Sequence, residues 1–429
     1  MVDLTALPED RPMSSDNRSE TRELALLLLA PAAVLCLLIL PHIYGSIVFG
    51  PAYMAALKGP VLTYMVMTAV ANMLVIATSL GLKERLDRKL AMVLTRIIII
   101  HGALAFIILI SHGFHSNQVM LLAGAASLVL GPTFMFIEHR RRELRVAVLE
   151  TGSEPIRERN EKFEYITNPA QDLRPYDVVL TPEMGALPNE WAIALTRATL
   201  SGTPVRHMAE FTEEADGIVS IDHFDTDHLP LGGLTSYRTR KRLTDIAMVL
   251  LTAPITLPLL LLGMLLIRTT MGSPVMFIQE RTGLGGKTFR MYKLRTMRPA
   301  REGDAVQTTT TNDPRITRVG YWLRRTRIDE LPQLLNVLQG DMSIIGPRPE
   351  WTILAESYTR DLPVYAYRHL VRPGITGWAQ VRGGYAGDLA ETRTKVGYDL
   401  FYIKNLSFSL DVQILGRTVW TLVSGSGAR

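Results

Sequence analysis

The architecture of this chain depends on one apolar stretch, which reads Leu243-Thr-Asp-Ile-Ala-Met-Val-Leu-Leu-Thr-Ala-Pro254-Ile-Thr-Leu-Pro258-Leu-Leu-Leu-Leu-Gly-Met-Leu-Leu-Ile267. Its length permits a full membrane crossing, which takes about 20 apolar residues. Pro254 and Pro258 fall near its middle, and each proline removes a backbone donor and clashes with the preceding turn. The stretch therefore predicts a membrane helix that is kinked or broken at Pro254.

Basic residues flank this stretch on both sides. They are Arg238, Arg240, Lys241 and Arg242 before it, and Arg268, Arg281, Lys287 and Arg290 after it. Lys and Arg collect on the cytoplasmic side of membrane proteins, so a full span would place one basic flank on the wrong side. A re-entrant helix over about 243–267, which returns to the face it entered from, satisfies both the prolines and the charges. A fifth full span is the alternative.

Four further apolar stretches precede this one, at residues 24–40, 61–80, 97–110 with an extension back to 90, and 120–137. Each approaches the length of a membrane span, which predicts a four-helix transmembrane bundle over 24–140 after a flexible, polar N-terminus at 1–23. The segment 81–96 and the residues after the fourth helix are rich in Lys and Arg, whereas 41–60 and 111–119 contain only Lys58. The positive-inside rule therefore places both ends of the bundle in the cytoplasm.

The composition agrees with a mixture of membrane and soluble parts. Of 429 residues, 47% are hydrophobic and 20% charged, and the mean hydropathy is +0.15. These values exclude a disordered chain, a collagen-like repeat and a disulfide scaffold. The single cysteine, Cys36, excludes an intrachain disulfide and a cysteine metal cluster. The net charge of +5 suits anionic lipid or phosphate ligands, and no nucleic-acid recognition motif accompanies it.

Residues 141–235 have the alternation of a small α/β domain. Short buried strands are predicted at 145–149 and 176–180, a helix at 189–200 and a third strand at 203–207. No G-x-G-x-x-G follows Leu149, so the pyrophosphate cradle of a nucleotide-binding fold is missing. We therefore expect a degenerate Rossmann-like domain with a structural or regulatory role.

A second informative stretch reads Arg324-Arg-Thr-Arg-Ile-Asp329-Glu330-Leu-Pro-Gln-Leu-Leu-Asn-Val-Leu338. Its leucines recur at helical spacing, which predicts a helix that begins at about Asp329 with that residue as N-cap. From residue physics alone, an ordinary N-cap with a first-turn glutamate is the favoured interpretation. The surrounding Lys293, Arg324 and Arg348 favour another one, because two carboxylates among cations suit Mg²⁺ and a diphosphate, with one carboxylate free to attack phosphorus.

The last segment, residues 410–423, places apolar side chains on one face of a predicted helix. Two interpretations fit this pattern equally well. The helix lies on the membrane surface, or it packs against the catalytic core.

Motifs between residues 238 and 429 occur in an order that is specific to one family. They are Lys241-Arg242-x-x-Asp245, Gly272-Ser-Pro-Val-Met-Phe-Ile-Gln-Glu280-Arg281-x-Gly283, Lys293-x-Arg295-Thr-Met297, Asp329-Glu330-Leu-Pro-Gln333-Leu, Asn336-Val-Leu-x-Gly340-Asp-Met-Ser, Gly346-Pro-Arg-Pro349 and Arg372-Pro-Gly-Ile-Thr-Gly-Trp-Ala-Gln380. This part of the chain resembles the catalytic unit of the monotopic phosphoglycosyl transferases, the bacterial sugar transferase family. The four preceding helices and the small α/β domain resemble the long subgroup of that family.

The resemblance implies transfer of a sugar 1-phosphate from a UDP-sugar, with UDP-glucose or UDP-galactose expected, to undecaprenyl phosphate, with release of UMP. It implies that Asp329 is the nucleophile of a covalent phosphosugar intermediate and lies near Mg²⁺, and that Glu330 assists metal or proton handling. The substrate- and phosphate-binding residues that it implies are Lys293, Arg295, Arg324, Pro347, Arg348, Pro349, Arg281 and Gln380.

The expected fold class is a membrane α-helical bundle, a small α/β domain and a mainly α, membrane-embedded catalytic domain over 236–429. The resemblance implies a multi-pass protein of the bacterial inner membrane whose catalytic domain faces the cytoplasm and starts exopolysaccharide, capsule or O-antigen repeat units. Its implied partners are the UDP-sugar, undecaprenyl phosphate, the bilayer and downstream glycosyltransferases; a homodimer is allowed and nucleic acid is not expected. A noncatalytic membrane scaffold of a polysaccharide assembly complex is the alternative function.

Overall fold

The structure is a computed structural model that describes residues 27–50, 59–80, 86–111, 116–141, 145–149, 163–182, 187–221, 224, 229, 234–298, 313–383 and 389–424. The predicted flexible N-terminus at 1–23 lies outside the described residues. The chain divides into two compact units, Met1–Ala215 and Asp216–Arg429. Each unit is described by itself below.

Four long apolar helices of the first unit occupy the stretches in which the sequence predicts membrane spans. They are α1 (Leu27–Phe49, with a π-helical turn over Leu35–Ile39), α2 (Pro60–Ser79), α3 (Leu86–Ser111) and α4 (Asn117–Arg141). Each is long and apolar enough to cross a bilayer. α1 extends beyond the predicted end at residue 40, and α3 begins before the predicted start at residue 90. The basic residues Arg88 and Lys89 therefore lie on α3 and not in a loop.

A small polar group lies inside the helical bundle. The Asn72 side-chain amide donates to the Tyr44 hydroxyl at 3.2 Å, and the Ser127 hydroxyl donates to the Asn72 amide oxygen at 2.7 Å. All three residues are almost completely buried. In an apolar environment these bonds satisfy groups that would otherwise be costly to bury, and they connect α1, α2 and α4.

The rest of the first unit contains a parallel sheet, as the α/β alternation predicts. Its elements are β1 (Val146–Leu149), β2 (Phe163–Ile166), β3 (Val178–Thr181), α5 (Asn189–Leu200), β4 (Val205–His207) and α6 (Met208–Asp216). The strand order is β2-β1-β3-β4, and every neighbouring pair is parallel. The predicted strands and the helix at 189–200 are confirmed, whereas β2 was not predicted from the sequence.

The second unit begins with one long helix and continues as short helices and strands. In chain order the elements are α7 (Leu234–Thr270), β5 (Met276–Thr282), β6 (Thr288–Leu294), α8 (Arg318–Arg325), α9 (Gln333–Gln339), β7 (Ser343–Ile345), α10 (Thr352–Asp361), β8 (Gly374–Thr376), α11 (Trp378–Arg382), α12 (Leu389–Lys404) and α13 (Phe408–Ser424), with 3-10 turns at Leu284–Gly286, Ile328–Glu330 and Pro363–Leu370. β5 and β6 form an antiparallel hairpin, and β7 pairs with β8 in parallel.

Helix α7 is continuous through Pro254 and Pro258. The interruption expected at Pro254 therefore does not end the helix. An internal proline removes one backbone hydrogen bond, a loss that membrane helices tolerate. The outward face of α7 is apolar, with Leu250, Leu251 and Ile255 more than 60% exposed.

Both halves of α7 pack against the remainder of the second unit. Near its start, Asp245 accepts a hydrogen bond from the backbone N–H of Ile344 at 3.1 Å. Near its end, Ile267 is fully buried against Leu294 and Leu323. Gly263 belongs to the same contact, because a Cβ atom there would lie 2.9 Å from the Leu294 side chain. The helix therefore lies along the rest of the second unit on both sides of its prolines.

The C-terminal helix α13 packs against the core through its first half, one of the two arrangements that the sequence left open. Leu410 and Ile414 are buried in the largest apolar core of this unit. Val419, Trp420 and Leu422, closer to its end, are at least half exposed. The first half of α13 thus packs against the core, and its last turns present apolar side chains outward.

Candidate active site

Asp329 and Glu330 lie together in the 3-10 turn that precedes α9. Arg327 enters this turn with a positive φ of 57°, a left-handed conformation that is uncommon for residues other than glycine. The α-helix itself begins at Gln333, and Asp329 makes no side-chain capping bond. The predicted N-cap role of Asp329 is therefore wrong, because the tight turn after Arg327 separates the carboxylates from the helix. Both residues are buried, with 7% of their surface exposed.

The Glu330 carboxylate is surrounded by cations. Its Oε1 accepts hydrogen bonds from Arg348 Nη2 at 2.8 Å and from Lys293 Nζ at 3.3 Å. Arg327 Nη1 lies 3.7 Å from the same oxygen. Burial alone would raise the pKa of Glu330, but the positive charges of Arg348 and Lys293 outweigh it and hold this pKa well below its usual range. Glu330 is therefore an anion that fixes Arg348 and Lys293 beside the two carboxylates. Asp329 and Glu330 are called the dyad below.

Asp329 has the opposite character. Burial, followed by the neighbouring charge of Glu330, raises the pKa of Asp329 to about 6, although Lys293, Arg324 and Arg327 act against the rise. Its Oδ1 is buried and has no hydrogen-bond partner among the described residues. Two adjacent carboxylates whose pKa values are shifted apart are typical of catalytic pairs with divided roles. The less engaged carboxylate, Asp329, is the one available to a substrate.

Lys293 reaches the dyad from β6, and Asn336 on α9 fixes that strand. The Asn336 side chain accepts a hydrogen bond from the backbone N–H of Tyr292 at 3.1 Å and donates to the carbonyl of Arg290 at 2.7 Å. Asn336 is completely buried. Desolvation, and then the charge of Arg348, lower the pKa of Lys293, while Glu330 and Asp329 counteract the shift. The helix after the dyad thus sets the position of the strand that carries the lysine.

The Gly346-Pro347-Arg348-Pro349 turn follows β7 and brings Arg348 to Glu330. The carbonyl oxygen of Pro347 accepts a hydrogen bond from the backbone N–H of Gly374 at 2.9 Å. The carbonyl oxygen of Pro349 accepts one from Arg281 Nη1 at 3.2 Å. The two prolines therefore fix the turn through their carbonyls, and Arg281 is part of its support.

The other predicted site residues take different positions. Arg324 Nε donates to the Thr296 hydroxyl at 2.9 Å, and its charge acts on the pKa of Asp329. Gln380 donates to the carbonyl of Ile375 at 3.3 Å, and its side-chain oxygen is buried with no partner among the described residues. Arg295 Nη1 donates to the carbonyl of Ser273 at 3.1 Å, and its described hydrogen bonds all go to main-chain carbonyls of residues 271–273, just after the end of α7.

The site thus brings Lys293 and Arg348 into contact with Glu330, which is adjacent to Asp329 in the chain, and the charge of Arg324 acts on Asp329. It also includes Arg327, which was not predicted from the sequence as a site residue. Arg295 is placed at the end of α7, and no described hydrogen bond joins it to the dyad.

A divalent cation fits one oxygen of this site. The partnerless Oδ1 of Asp329 is a buried hard ligand of the kind that Mg²⁺ prefers. Within the described ranges, no group of three or more His, Cys, Asp or Glu side chains could hold a metal ion by itself. A magnesium ion at Asp329 would therefore complete its shell with substrate phosphate oxygens and water, as Mg²⁺ commonly does.

Known proteins are similar to this chain in sequence. The bacterial sugar transferase family matches residues 236–425. The UDP-N-acetylgalactosamine-undecaprenyl-phosphate N-acetylgalactosaminephosphotransferase of Aeromonas hydrophila is 40% identical over 321 residues, which cover 73% of this chain and 75% of the relative.

Two other relatives are similar over slightly less than half of this chain. The UDP-glucose:undecaprenyl-phosphate glucose-1-phosphate transferase of Escherichia coli K12 is 40% identical over 210 residues, 48% of this chain and 44% of the relative. The exopolysaccharide production protein PSS of Rhizobium leguminosarum bv. phaseoli is 42% identical over 194 residues, 44% of this chain and 97% of the relative. With the dyad and its cations in place, and with one relative aligned over most of both chains, this protein belongs to the bacterial sugar transferase family.

Proposed function

We propose that the protein transfers a sugar 1-phosphate from a UDP-sugar to undecaprenyl phosphate and releases UMP. The observation that carries this proposal is that the two carboxylates of the dyad differ in their hydrogen bonding. Glu330 is held by Arg348 and Lys293, whereas Asp329 Oδ1 is buried and has no hydrogen-bond partner among the described residues. A carboxylate kept free beside three arginines and a lysine suits attack on a phosphorus atom whose oxygens need neutralisation.

The proposed reaction has two displacements at the same phosphorus atom. In the first, a carboxylate oxygen of Asp329 attacks the β-phosphorus of the UDP-sugar; the bond from that phosphorus to the bridging oxygen breaks, and UMP leaves. In the second, a phosphate oxygen of undecaprenyl phosphate attacks the aspartyl phosphosugar, and the bond between phosphorus and the Asp329 oxygen breaks. The products are undecaprenyl diphosphate sugar and the free carboxylate.

The cations stabilise charge that develops on the phosphate oxygens. Glu330 holds Arg348 and Lys293 in place before substrate arrives, so their reorganisation during the reaction is small. A guanidinium can present two parallel donors to a phosphate, which a lysine cannot. Mg²⁺, when bound at Asp329, would neutralise further charge on the diphosphate.

The donor is proposed to be a UDP-hexose or a UDP-N-acetylhexosamine. Relatives named for glucose and for N-acetylgalactosamine are both 40% identical to this chain over their aligned residues. The expectation of glucose or galactose is therefore widened to include N-acetylgalactosamine, because the relative with that name also aligns over most of the chain.

A panel of UDP-sugars tests both donor and mechanism. Purified protein with undecaprenyl phosphate should release UMP with one donor in preference to the others, and Asp329→Asn should abolish the release. Phosphosugar bound covalently to the wild-type protein, trapped without acceptor and located on Asp329 by mass spectrometry, would support the intermediate. Full turnover of Asp329→Asn would contradict it, and wild-type protein that never releases UMP would favour the scaffold alternative.

We further propose that α7 is re-entrant and that the active site faces the cytoplasm at the inner membrane. Its support is that Asp245 near the start of α7 and Ile267 near its end pack on the same fold, while the face between them is apolar and exposed. In a Cys36→Ser background, Thr270→Cys should react with a membrane-impermeant thiol reagent only after the inner membrane is opened. Ser116→Cys, on the opposite side of the predicted bundle, should react without opening it. Reaction of both in intact spheroplasts would favour a full span.

The α/β part is proposed to be a degenerate Rossmann-like domain. Its support is the parallel order β2-β1-β3-β4, in which the order reverses between β1 and β3 as in doubly wound folds.

We propose three functional parts, 24–140, 141–235 and 236–429. Deletion of 141–215, which stops where the first compact unit ends, should leave UMP release measurable if that domain is regulatory, and complete loss would contradict this role. We also propose that the protein forms a homodimer, and light scattering of the purified protein tests this. Cross-linking in cells tests the proposed contact with downstream glycosyltransferases.

A further inference from the structure

Arg368 is a buried cation that the reaction scheme does not use. It lies in the 3-10 turn Pro363–Leu370 and is 3% exposed. Its guanidinium donates to the carboxylate of Asp399 at 2.7 Å and to the hydroxyl of Tyr365 at 2.6 Å. Asp399 on α12 is 1% exposed, so the ion pair is withdrawn from solvent.

The same guanidinium also contacts the main chain of the Gly346-Pro-Arg-Pro349 turn. Arg368 Nη2 donates to the main-chain carbonyl of Arg348 at 2.9 Å. The side chain of Arg348 in turn donates to Glu330 at 2.8 Å. Arg348 is therefore held at both ends: its main chain by Arg368 and its guanidinium by the dyad.

Stability alone does not account for a buried ion pair at this place. Removing two charges from water is costly, and well-packed apolar replacements of such pairs are often neutral or stabilising. What apolar residues could not provide is a donor aimed at the Arg348 carbonyl. A lysine could keep the charge opposite Asp399, but it lacks the planar fork that serves Asp399, Tyr365 and the carbonyl together.

We propose that Arg368, oriented by Asp399, is a positioning residue for the transfer reaction. It fixes the main chain of the Gly346-Pro-Arg-Pro349 turn so that the Arg348 guanidinium meets both Glu330 and the substrate phosphate. Arg368 acts only through Arg348 and touches no reacting atom. This inference rests on the proposed function.

A double-mutant cycle on the full-length protein tests it. Arg368→Lys should lower kcat/KM for the UDP-sugar on the order of 10²-fold, the scale of a small misplacement of a catalytic group. In an Arg348→Lys background, the same Arg368→Lys change should cost less than about twofold, because residues that act as one unit are strongly non-additive. Equal losses in the two backgrounds would overturn the proposal, because Arg368 would then act independently of Arg348.

Two further variants separate positioning from loosening of the core. Leu400→Ala removes a fully buried side chain next to Asp399 and should lower Tm without changing kcat/KM per folded molecule. Arg368→Met with Asp399→Leu replaces the pair by apolar residues, should fold, and should show the same loss of kcat/KM as Arg368→Lys. A similar loss in Leu400→Ala, or normal kcat/KM in the apolar pair, would overturn the proposal.

Wild-type protein that releases no UMP contradicts the proposed function itself, whereas active wild-type protein together with an unchanged kcat/KM in Arg368→Lys contradicts only this inference.

Discussion

The indole Nε1 of Trp378 donates a hydrogen bond to the carbonyl oxygen of Gly217 at 2.6 Å. Two residues further on, the backbone N–H of Val219 donates to the carbonyl of Gly397 at 3.1 Å. Val219 is 3% exposed and belongs to the same apolar core as Trp378. A segment upstream of residue 236, where the family match begins, is therefore part of the packing that supports α11 and α12.

Gly217→Ala should destabilise this unit. Gly217 has a φ of +67°, and a Cβ atom there would lie 2.7 Å from the Trp378 ring. Gly285 has a similar φ of +64° with nothing within 4 Å of the added atom, so Gly285→Ala is a matched control for the backbone strain. We expect Gly217→Ala to cost about 1–3 kcal/mol more than the control, the usual penalty of overpacking. Thermal unfolding of the full-length protein measures the difference. Equal Tm values for the two variants would contradict the prediction, because the Trp378 ring would then accommodate the added methyl group without loss of stability.

The activity should depend on pH through Asp329. As a nucleophile Asp329 must be ionised, and its pKa is raised to about 6 by burial and by Glu330. The value of kcat/KM should therefore fall about tenfold per pH unit below pH 6, since it follows the ionisation of the free enzyme.

Glu330→Gln should move this acid limb to lower pH. It removes the negative neighbour and leaves Lys293 and Arg348 without their anion, and both changes favour ionised Asp329. Glu356→Gln, an exposed site on α10, should keep the wild-type limb. UMP release measured from pH 5 to 8 tests the pair, and a limb that moves upward in Glu330→Gln would contradict the assignment.

Asn336→Leu should destabilise the fold and impair catalysis together. The change leaves the buried N–H of Tyr292 and the carbonyl of Arg290 without their side-chain partner. Each unsatisfied buried group costs about 1–3 kcal/mol, and the strand that carries Lys293 loses its anchor. Gln339→Ala, on the exposed side of α9, should change stability by less than about 0.5 kcal/mol. Thermal unfolding and UMP release on the same preparations check both effects.

Removal of divalent cations should stop UMP release. The partnerless Asp329 Oδ1 is suited to Mg²⁺ shared with the diphosphate. Treatment with EDTA should abolish turnover, and added Mg²⁺ should restore it, whereas thermal stability without substrate should change little because Asp329 is the one proposed protein ligand. Full turnover in the chelated enzyme would rule out the metal role.

The regular elements follow closely from local pattern. The helix predicted at 189–200 is α5, whose buried residues Trp191, Ala194 and Ala198 recur at helical spacing, and the strand predicted at 145–149 is β1, a short apolar run that is buried throughout. β2 was missed since Glu164 and Tyr165 at its centre are exposed, as on an edge strand, and so break the apolar run.

The site residues were predicted mainly from the family motifs, and less from the hydrophobic pattern of the sequence. Asp329, Glu330, Lys293 and Arg348 were predicted as a group, and the structure brings them together. The same reasoning placed Arg295 with the phosphate-binding residues, although its hydrogen bonds go to main-chain carbonyls after α7. A guanidinium serves a carbonyl or a phosphate with the same donors, and only tertiary proximity decides between them. For that reason the hydrogen bond from Arg368 to the main chain of Arg348 could not be predicted from the sequence either.

The packing of α7 along the catalytic fold has a kinetic consequence. In the proposed re-entrant arrangement, contacts at Asp245 and Ile267 fix the height of Asp329 relative to the bilayer surface. The phosphate of the lipid acceptor is confined to nearly the same plane. Acceptor and aspartyl phosphosugar would then meet by a two-dimensional search, and the surface density of undecaprenyl phosphate among the lipids, not its amount per volume of cell, would set the rate of the second displacement.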